Sequence, residues 1–97
     1  MNKYQEITVA RNILELPETV TMSTIKSNYR RLLTEWHPDR HPENQDLCNE
    51  KTREIISAYH LIMDYCLHYQ YSFTKEAVEL YHSPEEWWFE RFGSQGY

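Results

Sequence analysis

The sequence predicts an all-α protein: an antiparallel hairpin of two long amphipathic helices, braced by a short first helix and followed by a C-terminal helical extension. Three observations carry this. Ile25, Tyr29, Leu32, Leu33 and Trp36 fall at i, i+4, i+7, i+8 and i+11, one face of a helix. Cys48, Thr52, Ile55, Tyr59, Ile62 and Cys66 form a second stripe of helical period. Between the two lies a polar segment interrupted by Pro38 and Pro42.

The first helix is expected over residues 8–16, with Val9, Ile13, Leu14 and Leu16 as its apolar side and Pro17 as its stop. Residues 17–20 form a connector. Thr21 is placed to cap the second helix, over residues 22–36. Pro38 ends it, because the residue before a proline is pushed out of the α region. The third helix is expected to begin near residues 44–46 and to run to about Tyr69, with Ala58 and Met63 beside its apolar stripe. Two such helices on a short loop bury their stripes only by packing antiparallel, so residues 37–46 protrude at one end. Beyond residue 71 the pattern changes. A short segment around residues 75–82 precedes a helix over 83–92, with Ser83 as cap, Pro84 at the first turn, Glu86 completing a capping box and Gly93 past its end. The expected division is therefore 1–71 for the helical hairpin domain and 72–97 for an aromatic, acidic extension.

Bulk properties narrow the function. Ninety-seven residues suit one domain with a modest core. The net charge of −5 argues against a general nucleic-acid binder, which needs a basic surface to release phosphate counterions. Cys48 and Cys66 on one helix stand roughly 27 Å apart at 1.5 Å per residue, far beyond disulfide reach. Reduced thiols, no apolar run of membrane length and no signal-peptide core fit a cytoplasmic setting. A monomer is expected. His37, Asp39 and His41 are too few to close a structural zinc site, so no metal and no other cofactor is expected. No nucleophile or glycine-rich loop accompanies His37 and Asp39, so an enzyme is not expected.

The informative string is Tyr29-Arg30-Arg31-Leu32-Leu33 leading to Trp36-His37-Pro38-Asp39-Arg40. A basic amphipathic helix runs directly into His-Pro-Asp at a hairpin loop, and Glu54-Ile55-x-x-Ala58-Tyr59 follows on the next helix. Ile13-Leu14-x-Leu16 stands before them. From about Ile7 to Met63 this resembles the J domain of DnaJ-like co-chaperones. The resemblance implies a function: docking on a DnaK-type heat-shock chaperone and stimulation of its ATPase. It assigns His37, Pro38 and Asp39 to the trigger loop and Lys26, Arg30 and Arg31 to the electrostatic docking face. Charge agrees with it: three cations against Glu35 give residues 21–36 a net +2, which leaves −7 elsewhere. Such a stripe can orient encounter with an acidic partner.

The chain also departs from the family pattern. Ser27 and Glu35 stand where basic residues are common, Thr52 replaces a common Phe, and Val9-Ala10-Arg11 stands where a Tyr-rich helix start is usual. A degenerate J-like module that binds protein without stimulating ATPase is the alternative. In the extension, Trp87, Trp88 and Phe89 span about 200° of a helix at 3.6 residues per turn. One face cannot bury all three, which offers them as contacts for a second protein, with a stabilising brace as the equal alternative.

Overall fold

The computed structural model describes residues 1–81, which hold four α-helices and no strand. The expected helix over 83–92, with Trp87, Trp88 and Phe89, lies outside the described residues.

Helix α1 spans Lys3–Ile13. It begins five residues before the expected start because Asn2 and Gln5 form a capping box. Asn2 Oδ1 accepts from the Gln5 N–H at 2.8 Å, and Gln5 Oε1 accepts from the Asn2 N–H at 3.0 Å. Its end is set before Pro17. Glu15 takes the left-handed conformation, φ 55°, just past the cap residue Leu14. The Leu16 N–H then reaches the Arg11 carbonyl at 3.0 Å and the Glu15 N–H reaches the Asn12 carbonyl at 3.1 Å, a Schellman ending. A side chain with a Cβ pays roughly 1–2 kcal/mol for that conformation. Asn28 stabilises the turn by donating to the carbonyls of both Leu14 (3.0 Å) and Glu15 (3.1 Å).

The face that α1 buries differs in part from the expected one. Ala10, Leu14 and Leu16 are buried, with Ile7 packed beside them, whereas Val9 is 47% exposed. The inward line is therefore Ile7, Ala10 and Leu14, at i, i+3 and i+7. Val9 lies to one side of it.

Helix α2 spans Met22–Glu35, capped as expected by Thr21, whose hydroxyl accepts from the Thr24 N–H at 3.4 Å. Helix α3 spans Gln45–Leu67 and stops two residues short of Tyr69, with the His68 N–H closing on the Asp64 carbonyl at 3.2 Å. The helices run antiparallel. Thr52 bonds the Trp36 carbonyl (3.4 Å) at one end, and the rings of Tyr29 and Tyr59 stack at 3.8 Å and 4° one to two turns further on. Ile25 and Leu32 of α2 and Ile55, Ala58 and Ile62 of α3 close the core against α1. Of the predicted α3 stripe, Cys48, Ile55 and Ile62 are buried, and Thr52, Tyr59 and Cys66 are half-buried at its margin. Both cysteines are free thiols. Helix α4, Lys75–Glu79, is a single capped turn whose residues are exposed except for half-buried Ala77.

The packing distinguishes two neighbours on α1. Leu14→Ala should cost about 2–5 kcal/mol, while Val9→Ser should cost under about 1 kcal/mol, as for exposed sites generally. Thermal unfolding of the two variants checks this. Equal losses would contradict the observed register of α1.

Candidate functional site

The end of α2 and the turn after it are over-determined. Trp36 caps the helix, and His37 leaves it in extended backbone, φ −63° and ψ 131°, as its place before Pro38 requires. Pro38–Arg40 is a 3-10 turn. The Arg40 N–H donates to the His37 carbonyl at 2.9 Å, and the His41 N–H donates to the Pro38 carbonyl at 3.1 Å. His37 also caps this turn itself: its Nδ1 accepts from the Asp39 N–H at 3.2 Å. In the neutral ring that leaves Nε2 as a donor. The Asp39 carboxylate is 90% exposed; His37 Nδ1 stands 3.7 Å from it, and among the described residues it forms no ion pair with a lysine or arginine. The loop therefore presents an open carboxylate on a fixed backbone.

A second set of contacts holds the loop to the hairpin, and sequence reasoning did not find it. The chain passes through a second 3-10 turn, Pro42–Asn44. His41 folds back so that Nε2 meets the Glu35 carbonyl at 3.0 Å, and its ring lies 5.9 Å from that of Trp36. Lys51 Nζ sits 5.7 Å from the Trp36 ring centroid, a cation–π distance, while Thr52 bonds the Trp36 carbonyl. Trp36 is thus held by the loop on one side and by the first turns of α3 on the other. The available signal was His41 before Pro42, a constrained residue following the motif, which sequence weighing considered only as a metal ligand. Among the described residues no group of three His, Cys, Asp or Glu side chains is placed to hold a metal ion.

The cations expected on the docking face behave differently from one another. Lys26 and Arg30 are exposed on α2 and form no ion pair among the described residues. Arg31 is held in a fork: Nη2 meets Glu15 Oε1 and Nη1 meets Glu35 Oε1, each at 2.8 Å. The hydrogen bond to Glu15, then that to Glu35, pushes its guanidinium further above its ordinary value. Lys26 and Arg30 lie one turn apart, and a shallow hollow lined by Leu33, Thr34, His37 and Arg40 joins α2 to the loop.

A helical hairpin with a short first helix, and a His-Pro-Asp turn following a basic helix, define a J-domain architecture. The DnaJ domain family matches residues 3–71, and the chain belongs to that family. The match begins at residue 3, so the first turn of α1, with Tyr4, lies within it, four residues ahead of where the resemblance was expected to start. Among curated proteins, the chain is 46% identical over 52 residues to Chaperone protein DnaJ of Thermotoga petrophila, covering 54% of this chain and 14% of that protein. It is 36% identical over 52 residues to human DnaJ homolog subfamily B member 2, covering 54% of this chain and 16% of that one. It is 33% identical over the same length to human DnaJ homolog subfamily B member 3, covering 36% of that protein. The matched segment is thus a minor part of each relative. No solved structure matches. J domains typically partner 70-kDa heat-shock chaperones, and the family is not enzymatic. No helix among the described residues is long and apolar enough to cross a membrane.

The loop's attachment is testable by itself. His41→Ala removes the Glu35 contact and the ring beside Trp36, but touches neither the core nor the His-Pro-Asp backbone. Amide exchange at Arg40 and His41 should accelerate about fivefold to tenfold, the equivalent of a hydrogen bond worth about 1 kcal/mol. Amides at the centre of α3 should be unaffected. Unchanged exchange at Arg40 and His41 would mean that the turn is held by its own backbone bonds alone.

Proposed function

We propose that the chain is a co-chaperone that docks on a DnaK-type, 70-kDa heat-shock chaperone and stimulates its ATP hydrolysis. His37, Pro38 and Asp39 form the trigger, and Lys26 and Arg30, with Arg31 beside them, form the electrostatic face. The observation that carries the reading is the exposed Asp39 carboxylate on a turn held by its own backbone bonds and the His37 ring, directly after the helix that bears the exposed cations Lys26 and Arg30. A fixed turn loses little entropy on docking. An open carboxylate can make a charge-assisted, bidentate pair with an arginine of the partner. Lys26 and Arg30 favour encounter with an acidic surface and raise the association rate more than the lifetime of the complex. Docking would then favour the hydrolysis-competent state of the ATPase.

The reading extends to the chain as a whole. Residues 1–71 are the docking domain. Residues 72–97 are a separate extension, in which Trp87, Trp88 and Phe89 are candidate contacts for a second protein. The two reduced thiols suit a cytoplasmic location. A second reading, a J-like module that binds without stimulating hydrolysis, has one observation in its favour: the capture of Arg31 leaves the docking face with fewer available cations.

Steady-state ATPase measurements with a purified DnaK-type chaperone separate the two. The parent chain should stimulate hydrolysis. His37→Gln should abolish stimulation with helicity and melting nearly unchanged, because His37 is exposed and outside the core. Lys26→Glu with Arg30→Glu should slow association, and binding by the parent should weaken with added salt. Stimulation retained by a folded His37→Gln variant would sink the co-chaperone reading.

A further inference from the structure

Two carboxylates that converge on Arg31 stand in positions that local backbone physics disfavours. Glu15 occupies the left-handed conformation, φ 55°, where glycine or asparagine is the ordinary choice. Glu35 is the last residue of α2, where a negative charge meets the negative end of the helix dipole and no basic residue offsets it within the final turn. The local backbone favours neither residue at its position. Both reach the same guanidinium at 2.8 Å, one from the turn after α1 and one from the last residue of α2. The side chains of Arg31, Glu15 and Glu35 are 45%, 57% and 47% exposed, so water and salt weaken the cluster as a fold-stabilising device. Its effect is on the charge pattern of α2: the cluster carries a net −1 beside the line of Lys26 and Arg30.

We propose that Glu15 and Glu35 are specificity-determining residues: they withhold Arg31 from the docking face and set a negative element beside Lys26 and Arg30. This rests on the co-chaperone reading and deepens it. A partner surface that is acidic throughout attracts Lys26 and Arg30 but is repelled by the carboxylate pair. A surface whose acidic patch is bordered by a basic residue opposite Glu15 and Glu35 satisfies both. The chain thus selects among 70-kDa chaperones by a repulsive feature as well as an attractive one. Arg31 acts as a positioning residue for the two carboxylates.

The test compares two double variants of equal charge change. Glu15→Gln/Glu35→Gln frees Arg31 and keeps the side-chain size and the left-handed backbone demand. Glu50→Gln/Glu54→Gln alters two carboxylates on α3 by the same net amount. Association rates with a purified DnaK-type chaperone are measured at low and high ionic strength. Freeing Arg31 on an acidic partner should raise the low-salt rate by about tenfold, within the range of electrostatic steering. That gain should vanish at high salt and be largely reversed by adding Arg31→Gln, and the α3 control should gain much less. An unchanged rate, or an equal gain in the control, overturns the proposal while leaving the co-chaperone reading intact. A parent chain that neither binds nor stimulates any DnaK-type chaperone removes that reading and this proposal with it. Glu35→Gln alone should give a smaller gain in the same direction, so the outcome does not hang on one variant's folding.

Discussion

Pro38 cannot continue α2, and the residue before it is forced into extended backbone; that single constraint organises the rest of the molecule. The helix must stop at Trp36, the chain must turn back, and the turn must be anchored if α3 is to return along the same face. Trp36 supplies the anchor. Its ring is shared by His41 and Lys51, its carbonyl by Thr52, so the end of α2, the turn and the start of α3 are one assembly. The Tyr29–Tyr59 stack continues the same registration toward the other end. The turn built on this assembly is stiff because the hairpin is.

The middle of α2 is fixed by other means. α1 finishes in a Schellman turn with a glutamate in the left-handed position, and Asn28 ties the Leu14 and Glu15 carbonyls of that turn to α2. The same turn sends Glu15 across to Arg31. Structural bracing and the charge pattern of α2 therefore share one short segment. A change at Glu15 would be felt at Arg31, sixteen residues later in sequence.

Much of this could be read from the residues. The helical period located α2 and α3, Thr21 and Pro38 marked the limits of α2, and the His-Pro-Asp string between two such helices pointed to the J-domain family. What the sequence hid has physical causes. The start of α1 depends on a reciprocal Asn2–Gln5 cap that precedes the apolar pattern, so periodicity alone began the helix late. Its end depends on a left-handed glutamate, a conformation the residue type does not announce, and the more conspicuous Pro17 drew the boundary. Ala10 rather than Val9 lies in the core. The partners of Arg31 were equally concealed: Glu35 is a visible i, i+4 neighbour, but Glu15 lies sixteen residues away and meets Arg31 only after the turn has formed. His41 looked like a metal-ligand type and acts as a strut.

In the proposed complex, the turn after α2 and the exposed cations Lys26 and Arg30 form one contact surface for a 70-kDa chaperone. Amide chemical-shift mapping of isotope-labelled chain during titration with an unlabelled DnaK-type chaperone in its ATP-bound state tests this most directly. The account predicts that shift changes and line broadening concentrate on residues 26–40 and spare the outer face of α1 and the middle of α3. Perturbations centred on α1 or on the solvent side of α3, with residues 26–40 unaffected, would contradict it.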